Sequence, residues 1–215
     1  GNLGFLLTNR NGGYCNFFNK PSSRYQGFFY FDKKTVNMYR FIENIEIAGN
    51  NDVGRLKNGF YFFERKKNDV LESFVMPAGL NSLIYELDSE NEIDLFLDCK
   101  KSYDNGEWGR YYEIFENECL VVKFSKKTDI REDKSSDIEE FSLYLAIRFN
   151  GKFHQKTDKW AERHYFDDEQ RNSPPFKRYV YNAVRLKGSK FAFSMSKNKN
   201  EAIKECGYVF SNIED

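Results

Sequence analysis

The sequence predicts a mainly β protein, built as a large antiparallel β-sandwich with little helix. Aromatic residues make up 18% of the chain, dominated by 22 Phe and 14 Tyr, while proline is scarce with 4 residues. Aromatic and β-branched residues favour strands, and short runs of alternating apolar and polar residues recur along the chain. Because turn-forming pairs separate about ten or more such runs, a sandwich is favoured over a βαβ arrangement.

The clearest strand signal is the alternation in residues 141–149, "FSLYLAIRF". Side chains two positions apart lie on the same face of a strand, so its apolar residues share one face. Segments 91–100 and 191–196 repeat this pattern. Segments 59–65 and 119–124 are apolar on both faces, which predicts central strands or the inner layer of a sandwich.

Four glycine-containing pairs predict the turns. Asn58-Gly59, Asn105-Gly106 and Asn150-Gly151 have the residue types of type I′ hairpin turns, which require positive φ angles. Gly188-Ser189 is predicted to turn the strand "YVYNAVRL" back onto "KFAFSMS".

One short helix is predicted at residues 198–206, "NKNEAIKEC", ending at Gly207. Residues 125–140 are dense in charge and nearly free of large apolar groups, so they are predicted to form a long solvated loop and are a candidate for disorder. No internal repeat and no linker divides the chain. We therefore expect residues 1–215 to form one sandwich domain.

Composition excludes several classes of function. The 33 basic and 33 acidic residues give a net charge of zero, which argues against bulk electrostatic binding of nucleic acid. No window approaches the roughly 20 apolar residues of a membrane helix, and the first residues lack the features of a signal peptide. Four scattered cysteines without C-x-x-C spacing predict free thiols in a reducing compartment, so we expect a cytoplasmic protein.

No catalytic constellation is visible. His154 and His164 could bind a metal with support from Asp158, Asp167 or Asp168, but a ten-residue spacing is a weak signal, and we predict neither a metal site nor a cofactor. Nucleophile elbows, phosphate loops and zinc-protease patterns do not occur. A glycosidase carboxylate pair requires a fixed separation, which spacing in a sequence does not display.

The segment "LLTNRNGGYCNFFNKPSSRYQGFFYF", residues 6–31, carries the most informative polar groups. Gly12-Gly13 permits a tight turn and close backbone approach. Arg24 offers a planar fork of donors, and Tyr14, Tyr25 and Tyr30 offer flat faces with hydroxyl tips. This mixture suits polyhydroxylated rings. The alternative is that Arg24 pairs internally and fixes the Gly-Gly turn against the sheet.

The order of these motifs resembles the start of bacterial and archaeal glycogen debranching enzymes of the amylo-α-1,6-glucosidase type. Those proteins usually carry Thr-Asn-Gly-x-Gly-Gly-Tyr, then Thr-Arg-Arg-Tyr-His-Gly, then a strand leading to an acidic residue. The third block is matched by "MYRFIENIEI", residues 38–47. The residues that match the first two blocks are Thr8, Asn9, Gly12, Gly13, Tyr14, Arg24, Tyr25 and Gly27.

The resemblance continues further along the chain, with departures. Residues 74–87 look like the strand pair of the family, and residues 158–172 look like its Trp-containing segment. In the latter, the matching residues are Trp160, Tyr165, Glu169 and Arg171. Ser23 stands where the family usually has its first Arg, Gln26 where it has His, and "NSPPFKRYVYN" follows Arg171 in place of Glu-Asp-Leu-Tyr. The resemblance therefore does not imply the contacts that those groups make in the family, and this chain is a divergent member.

The resemblance implies a non-catalytic N-terminal domain of a longer glycoside hydrolase of glycogen catabolism. Such a domain is a supersandwich-like β-sandwich that packs on a C-terminal α/α barrel, which carries the catalytic carboxylates, and it helps to recognise branched α-glucan. This chain alone is then expected to be inactive. The substrate-binding residues that it implies are Asn9, Gly12, Gly13, Tyr14, Arg24 and Tyr25.

Two alternatives stay open. A purely structural sandwich would bind the barrel but no sugar, and it would expose an apolar patch that causes self-association. A free-standing hydrolase would carry its own carboxylate pair and release glucose.

Overall fold

The computed structural model describes residues 2–49, 53–59, 62–67, 69–116, 118–127 and 140–212. It is 61% strand and 10% helix, so the predicted mainly β fold is confirmed. The strands are β1 (Leu7–Thr8), β2 (Tyr14–Asn16), β3 (Gly27–Asp32), β4 (Asn37–Ile47), β5 (Val53–Asn58), β6 (Phe62–Lys67), β7 (Val70–Val75), β8 (Ser82–Lys101), β9 (Arg110–Glu116), β10 (Leu120–Lys126), β11 (Phe141–Phe149), β12 (Phe153–His164) and β13 (Lys177–Ser196). The helices are α1 (Phe166–Gln170) and α2 (Lys199–Asn212).

All these strands belong to one antiparallel sheet that is not closed into a barrel. Its main path runs β1-β2-β3-β4-β8-β13-β11-β10-β9, while β12 pairs with β13 and the β5-β6-β7 group joins β8. The two central strands, β8 and β13, are 20 residues long and belong to both halves of the sheet. The C-terminal part of β8 pairs with β4 and its N-terminal part with β7, and β13 likewise pairs first with β12 and then with β11.

The two halves of the sheet fold over and pack face to face. The ring of Tyr39 in β4 lies 4.9 Å from that of Phe141 in β11, although two strands separate β4 from β11 in the sheet. At the other side, Tyr112 in β9 stacks on Tyr181 in β13 at 4.6 Å. The sandwich therefore has two layers made from one continuous sheet, joined by the bends of β8 and β13.

The apolar positions of the alternating segments form the core, as predicted. Leu143, Leu145 and Ile147 are buried in the main cluster together with Phe124 and Phe193. On the other face of the same strand, Ala146 is also fully buried, because α2 covers that face. The second face of β11 is thus part of a second core.

The helix α2 forms where the sequence predicts it, but its predicted end is wrong. Asn198 caps the helix, since its side-chain oxygen accepts hydrogen bonds from the backbone N–H groups of Asn200 and Glu201. Gly207 does not end the helix, which continues to Asn212. Its apolar stripe extends to Val209, which is fully buried against the sheet, and such packing outweighs the roughly 1 kcal/mol cost of a helical glycine.

The short helix α1 between β12 and β13 is not predicted by the sequence patterns.

Neither α1 nor α2 is long and apolar enough to cross a membrane, and no other helix occurs in the described residues.

Three of the four predicted hairpin turns do not connect two paired strands, so these predictions are wrong. Strand β13 continues through Gly188-Ser189 with an irregular register between Gly188 and Lys190, because the strand bends there from one layer into the other. Asn150-Gly151 joins β11 to β12, which pair successively with the same side of β13 and run in the same direction. Asn105-Gly106 lies between β8 and β9, which are not paired. Asn58-Gly59 does end the first strand of the β5–β6 hairpin, but neither residue has the positive φ of the predicted type I′ turn.

The predicted loop at residues 125–140 is wrong at its start. Ser125 and Lys126 belong to β10 and are buried, and the Lys126 amine donates a hydrogen bond to the carbonyl of Trp108 at 2.6 Å. The segment 128–139 lies outside the described residues.

A buried charge cluster lies on the face of β8 opposite the main core. Asp98 alternates with the core residues Leu97 and Cys99 and has no exposed surface. Its carboxylate accepts hydrogen bonds from Arg178 at 2.8 and 3.2 Å, from Arg110 at 3.0 Å and from Arg40. Burial alone would raise the pKa of the Asp98 carboxyl, but the three guanidinium groups outweigh burial and hold that pKa well below its usual value.

We predict that Asp98→Asn lowers the free energy of unfolding by about 3–5 kcal/mol, because it leaves three arginines beside an uncharged side chain in a buried site. Urea denaturation at neutral pH measures this loss. The matched control is Asp94→Asn on the same strand, which removes a partly exposed pair with Arg185 and should cost less than about 1 kcal/mol. Equal losses in the two variants would contradict the central role of Asp98.

Candidate functional site

The Gly12-Gly13 turn is built by Asn9 from inside the protein. The Asn9 side-chain oxygen accepts hydrogen bonds from the backbone N–H of Asn11 at 2.9 Å and of Gly13 at 3.1 Å, and its amide nitrogen donates to the carbonyl of Leu80 at 2.8 Å. Gly12 has a φ of 95°, and a Cβ atom there would lie 2.8 Å from the ring of Phe31. Asn9 is buried and both ends of its amide are bonded, so its role is to shape the turn.

Arg24 pairs internally, as one reading of the sequence predicts, but its partners lie in the α1 segment and not in the Gly-Gly turn. Its backbone N–H donates to the Asp168 carboxylate at 2.8 Å, and its guanidinium lies 3.3 Å from the same oxygen. The guanidinium also donates to the hydroxyl of Ser173 at 3.1 Å and stacks on the ring of Tyr25 at 4.7 Å. Arg24 therefore holds Tyr25 and α1 together.

Two depressions adjoin each other above these groups and share Asn16 and Tyr25. The first, of about 560 Å³, is formed by the opening strands, and the second, of about 610 Å³, lies between those strands and α1. The first is lined by Leu6, Thr8, Arg10, Gly12, Gly13, Tyr14, Asn16 and Tyr25. The second is lined by Asn16, Phe18, Ser22, Ser23, Tyr25, Asp167, Asp168, Gln170, Arg171 and Ser173. We call the two together the Tyr25 cleft.

Tyrosine rings form the apolar part of the Tyr25 cleft. Tyr14 stacks on Phe29 at 4.3 Å and donates its hydroxyl to the carbonyl of Tyr25 at 3.2 Å. Burial raises the pKa of Tyr14 to about 12, so the hydroxyl stays protonated at physiological pH. Tyr103, which is 83% exposed, meets the ring of Tyr25 edge-on at 6.0 Å. Within the cleft, Tyr14 and Tyr25 thus present ring surfaces beside solvent, and Tyr103 lies outside its lining.

The α1 side of the cleft supplies hydroxyl, carboxylate and guanidinium groups. Ser23 donates to the Asp168 carboxylate at 2.8 Å, and Ser22 donates to Asp167. Asp168 is buried, whereas Arg171 is 65% exposed and reaches the Asp168 carboxylate at 3.4 Å. These groups match the donors and acceptors of a hydroxylated ligand.

The buried charge cluster supports the cleft from below. Arg40 bonds Asp98 and also donates hydrogen bonds to the carbonyl groups of Arg24 and Gln26 at 2.7 and 2.8 Å. Gln26 in turn donates to the Glu43 carboxylate at 2.7 Å. The backbone on both sides of Tyr25 is therefore fixed to the C-terminal part of β8.

The predicted site residues divide into two groups. Gly12, Gly13, Tyr14 and Tyr25 line the cleft, and Asn9 and Arg24 lie buried beneath it. Sequence reasoning missed Asn16 and the α1 side of the cleft. The Trp-containing block of the family resemblance includes Arg171, and this was the available signal for that side.

The two histidines occupy opposite ends of β12. His154 lies 3.0 Å from Glu116, and His164 lies 2.9 Å from Glu169. Asp168 binds Arg24, and Asp158 accepts a hydrogen bond from Tyr181. No group of three potential metal ligands occurs in the part of the chain that the structure describes.

A second aromatic surface lies where the edge strands β9 and β12 approach each other. The guanidinium of Arg110 stacks on Trp160 at 4.8 Å, and it donates a hydrogen bond to the carbonyl of Tyr179 at 2.7 Å. Trp160 and Tyr179 are 46% and 48% exposed. We call Trp160 and Tyr179 the β12 edge surface; the Arg110 side chain packs against it and is itself almost fully buried.

Comparison with protein-family models gives no match to this chain, and no curated protein matches it significantly. The family resemblance of the opening motifs therefore stays a prediction.

Lys100 gives the cleft region a pH-dependent stability. Lys100 is buried, and its amine lies 5.6 Å from the centre of the Tyr25 ring. The amine donates a hydrogen bond to the side-chain oxygen of Asn105 at 3.4 Å. Burial and the nearby Arg40 lower the pKa of Lys100 from 10.5 to about 6. Between these pH values the unfolded chain binds a proton that the folded chain lacks, so this group makes stability rise with pH.

We predict that Lys100→Met reduces this rise between pH 6.5 and 8.5, by up to about 1.4 kcal/mol per pH unit. Urea denaturation of wild type and variant at both pH values measures the difference. Lys67, whose pKa is lowered to about 8 by burial and Arg65, contributes a rise that remains in the variant. Identical slopes in the two proteins would show that Lys100 keeps its proton in the folded state.

Proposed function

We propose that this chain is a non-catalytic domain of a glycogen-debranching α-1,6-glucosidase, which packs on the catalytic helical barrel and helps to recognise branched α-glucan. The observation that carries the proposal is the Tyr25 cleft. It combines fixed tyrosine rings with hydroxyl, amide and guanidinium groups, and the segment that forms much of it carries the first two motif blocks of the family resemblance.

The chemistry of the cleft suits a sugar chain. A hexose presents apolar CH faces that pack on aromatic rings, and its hydroxyl edges bond to groups such as Asn16, Asp167 and Arg171. Each depression falls within the roughly 300–1,000 Å³ typical of ligand pockets. Because the cleft is open to solvent, hydrogen bonds to sugar hydroxyls compete with water, and we expect weak binding by this chain alone.

The carboxylates of the cleft support binding rather than hydrolysis. Asp168 is buried and accepts hydrogen bonds from Ser23 and the backbone of Arg24, and Asp167 accepts one from Ser22. A hydrolytic pair needs one carboxyl group free to donate a proton and a second free to act as base or nucleophile. We therefore assign hydrolysis to the barrel and substrate positioning to this domain.

We predict that a branched maltooligosaccharide shifts NMR signals at Tyr14, Asn16 and Tyr25, and that Tyr25→Ala weakens binding roughly fivefold through loss of ring contact. The control is Tyr208→Ala, which removes an exposed tyrosine from α2. Unchanged NMR signals of Tyr14, Asn16 and Tyr25 at up to tens of millimolar sugar would contradict glucan binding.

A second candidate is a purely structural domain, and the β12 edge surface favours it. Its exposed aromatic residues lie on the edge strand β12 and on the adjoining part of β13, and such residues are typical of surfaces that another protein covers. On this reading the chain self-associates when its partner is absent.

Sedimentation velocity separates the two candidates. The structural reading predicts concentration-dependent dimers that a Trp160→Ser, Tyr179→Ser double variant abolishes, together with no response to sugar. A monomer at all concentrations would contradict it. As a control, Tyr208→Ser removes a tyrosine of similar exposure from α2 and should leave association unchanged.

A further inference from the structure

A cavity of about 870 Å³ lies on the outer face of β6, β7 and β8, next to α2. The strand register places its lining residues in rows. Phe62, Val75 and Ile84 form an apolar row across the three strands, and Glu64, Ser73 and Glu86 form the next row. Leu71 and Asp88 lie one step beyond the Glu72–Leu87 pair. We call this cavity the α2 groove.

The α2 groove continues an interface that already binds a helix. The apolar stripe of α2 covers a floor that includes Ile84 and Ala192, and Val75 and Leu80 pack against the same cluster. Ile84 also lines the groove, and Tyr208 of α2, which is 57% exposed, forms its wall. The same sheet face therefore offers a second apolar strip beside the first helix.

The two ends of the groove carry side chains of opposite charge. Glu64, Glu86 and Asp88 lie toward one end, while Arg10 lies near the 76–80 loop at the other, where the Gly79 N–H donates to the carbonyl of Asn9 at 3.1 Å. Glu64 has a lysine partner at 3.3 Å in Lys57, and Glu86 has one at 3.7 Å in Lys190. Lys57 is largely exposed, and such surface pairs are weak and screened by salt. The end with Glu64, Glu86 and Asp88 can thus bind a basic ligand, which competes with Lys57 and Lys190 for two of these carboxylates.

We propose that the α2 groove binds an amphipathic helix of a partner, which packs beside α2. The apolar stripe of this helix lies on Phe62, Val75 and Leu71, whereas Ile84 is already covered by α2. Its basic residues lie over Glu64 and Asp88, and an acidic residue lies near Arg10. This proposal is independent of glucan binding, because the groove shares only Thr8 and Arg10 with the Tyr25 cleft.

Two synthetic helical peptides test the proposal. Both carry the same leucine stripe, and one is flanked by lysines and the other by glutamates. We expect the lysine-flanked peptide to bind this chain at least about tenfold more tightly at low salt, as measured by fluorescence anisotropy, and the difference to shrink at high salt. NMR signals of Val75, Ile84 and Tyr208 should shift on binding.

Charge reversal locates the binding site. The double variant Glu64→Lys, Asp88→Lys should lose the preference for the lysine-flanked peptide, while the control Glu113→Lys on β9 should keep it. Both groove positions are partly or fully exposed, so a thermal melt like that of the wild type is expected. Equal binding of the two peptides, no binding of either, or shifts confined to other surfaces of the wild-type chain would overturn the proposal.

Discussion

The ion cluster around Asp98 is the constraint on which the rest of the structure depends. A carboxylate with no exposed surface is costly to desolvate, and three arginines from β4, β9 and β13 compensate for that cost. Those strands span both layers of the sandwich. Each arginine also donates to a backbone carbonyl outside its own strand, so the cluster fixes loops as well as strands.

This cluster also fixes the backbone geometry of the candidate site. Arg40 holds the carbonyl groups on both sides of Tyr25, and Arg24 connects the same segment to Asp168 before β13. Buried hydrogen-bonded charges of this kind hold side chains in fixed positions, which favours ligand binding because little conformational entropy is lost. The Tyr25 cleft is thus a rigid surface on the face of the sheet opposite the core.

Two other surfaces are built differently. The α2 groove lies on the outer face of β6, β7 and β8 and is apolar with an acidic end, whereas the β12 edge surface consists of aromatic residues beside the buried Arg110. Hydroxylated ligands and protein partners prefer different surfaces: the first need polar groups around a ring platform, and the second need buried apolar area. The three surfaces therefore suit different partners on one scaffold.

The sequence by itself determined the strand content, the core faces of segments such as 141–149, the position of α2 and the close approach at Gly12-Gly13. These features depend on local spacing and on backbone conformation, which neighbouring residues control. Only the tertiary structure decided that Gly188 lies inside a continuous strand, that α2 passes through Gly207, and that Arg24 is buried on Asp168, 144 residues away in the sequence. Burial and hydrogen-bond partners come from distant segments, and local spacing carries no information about which segments meet.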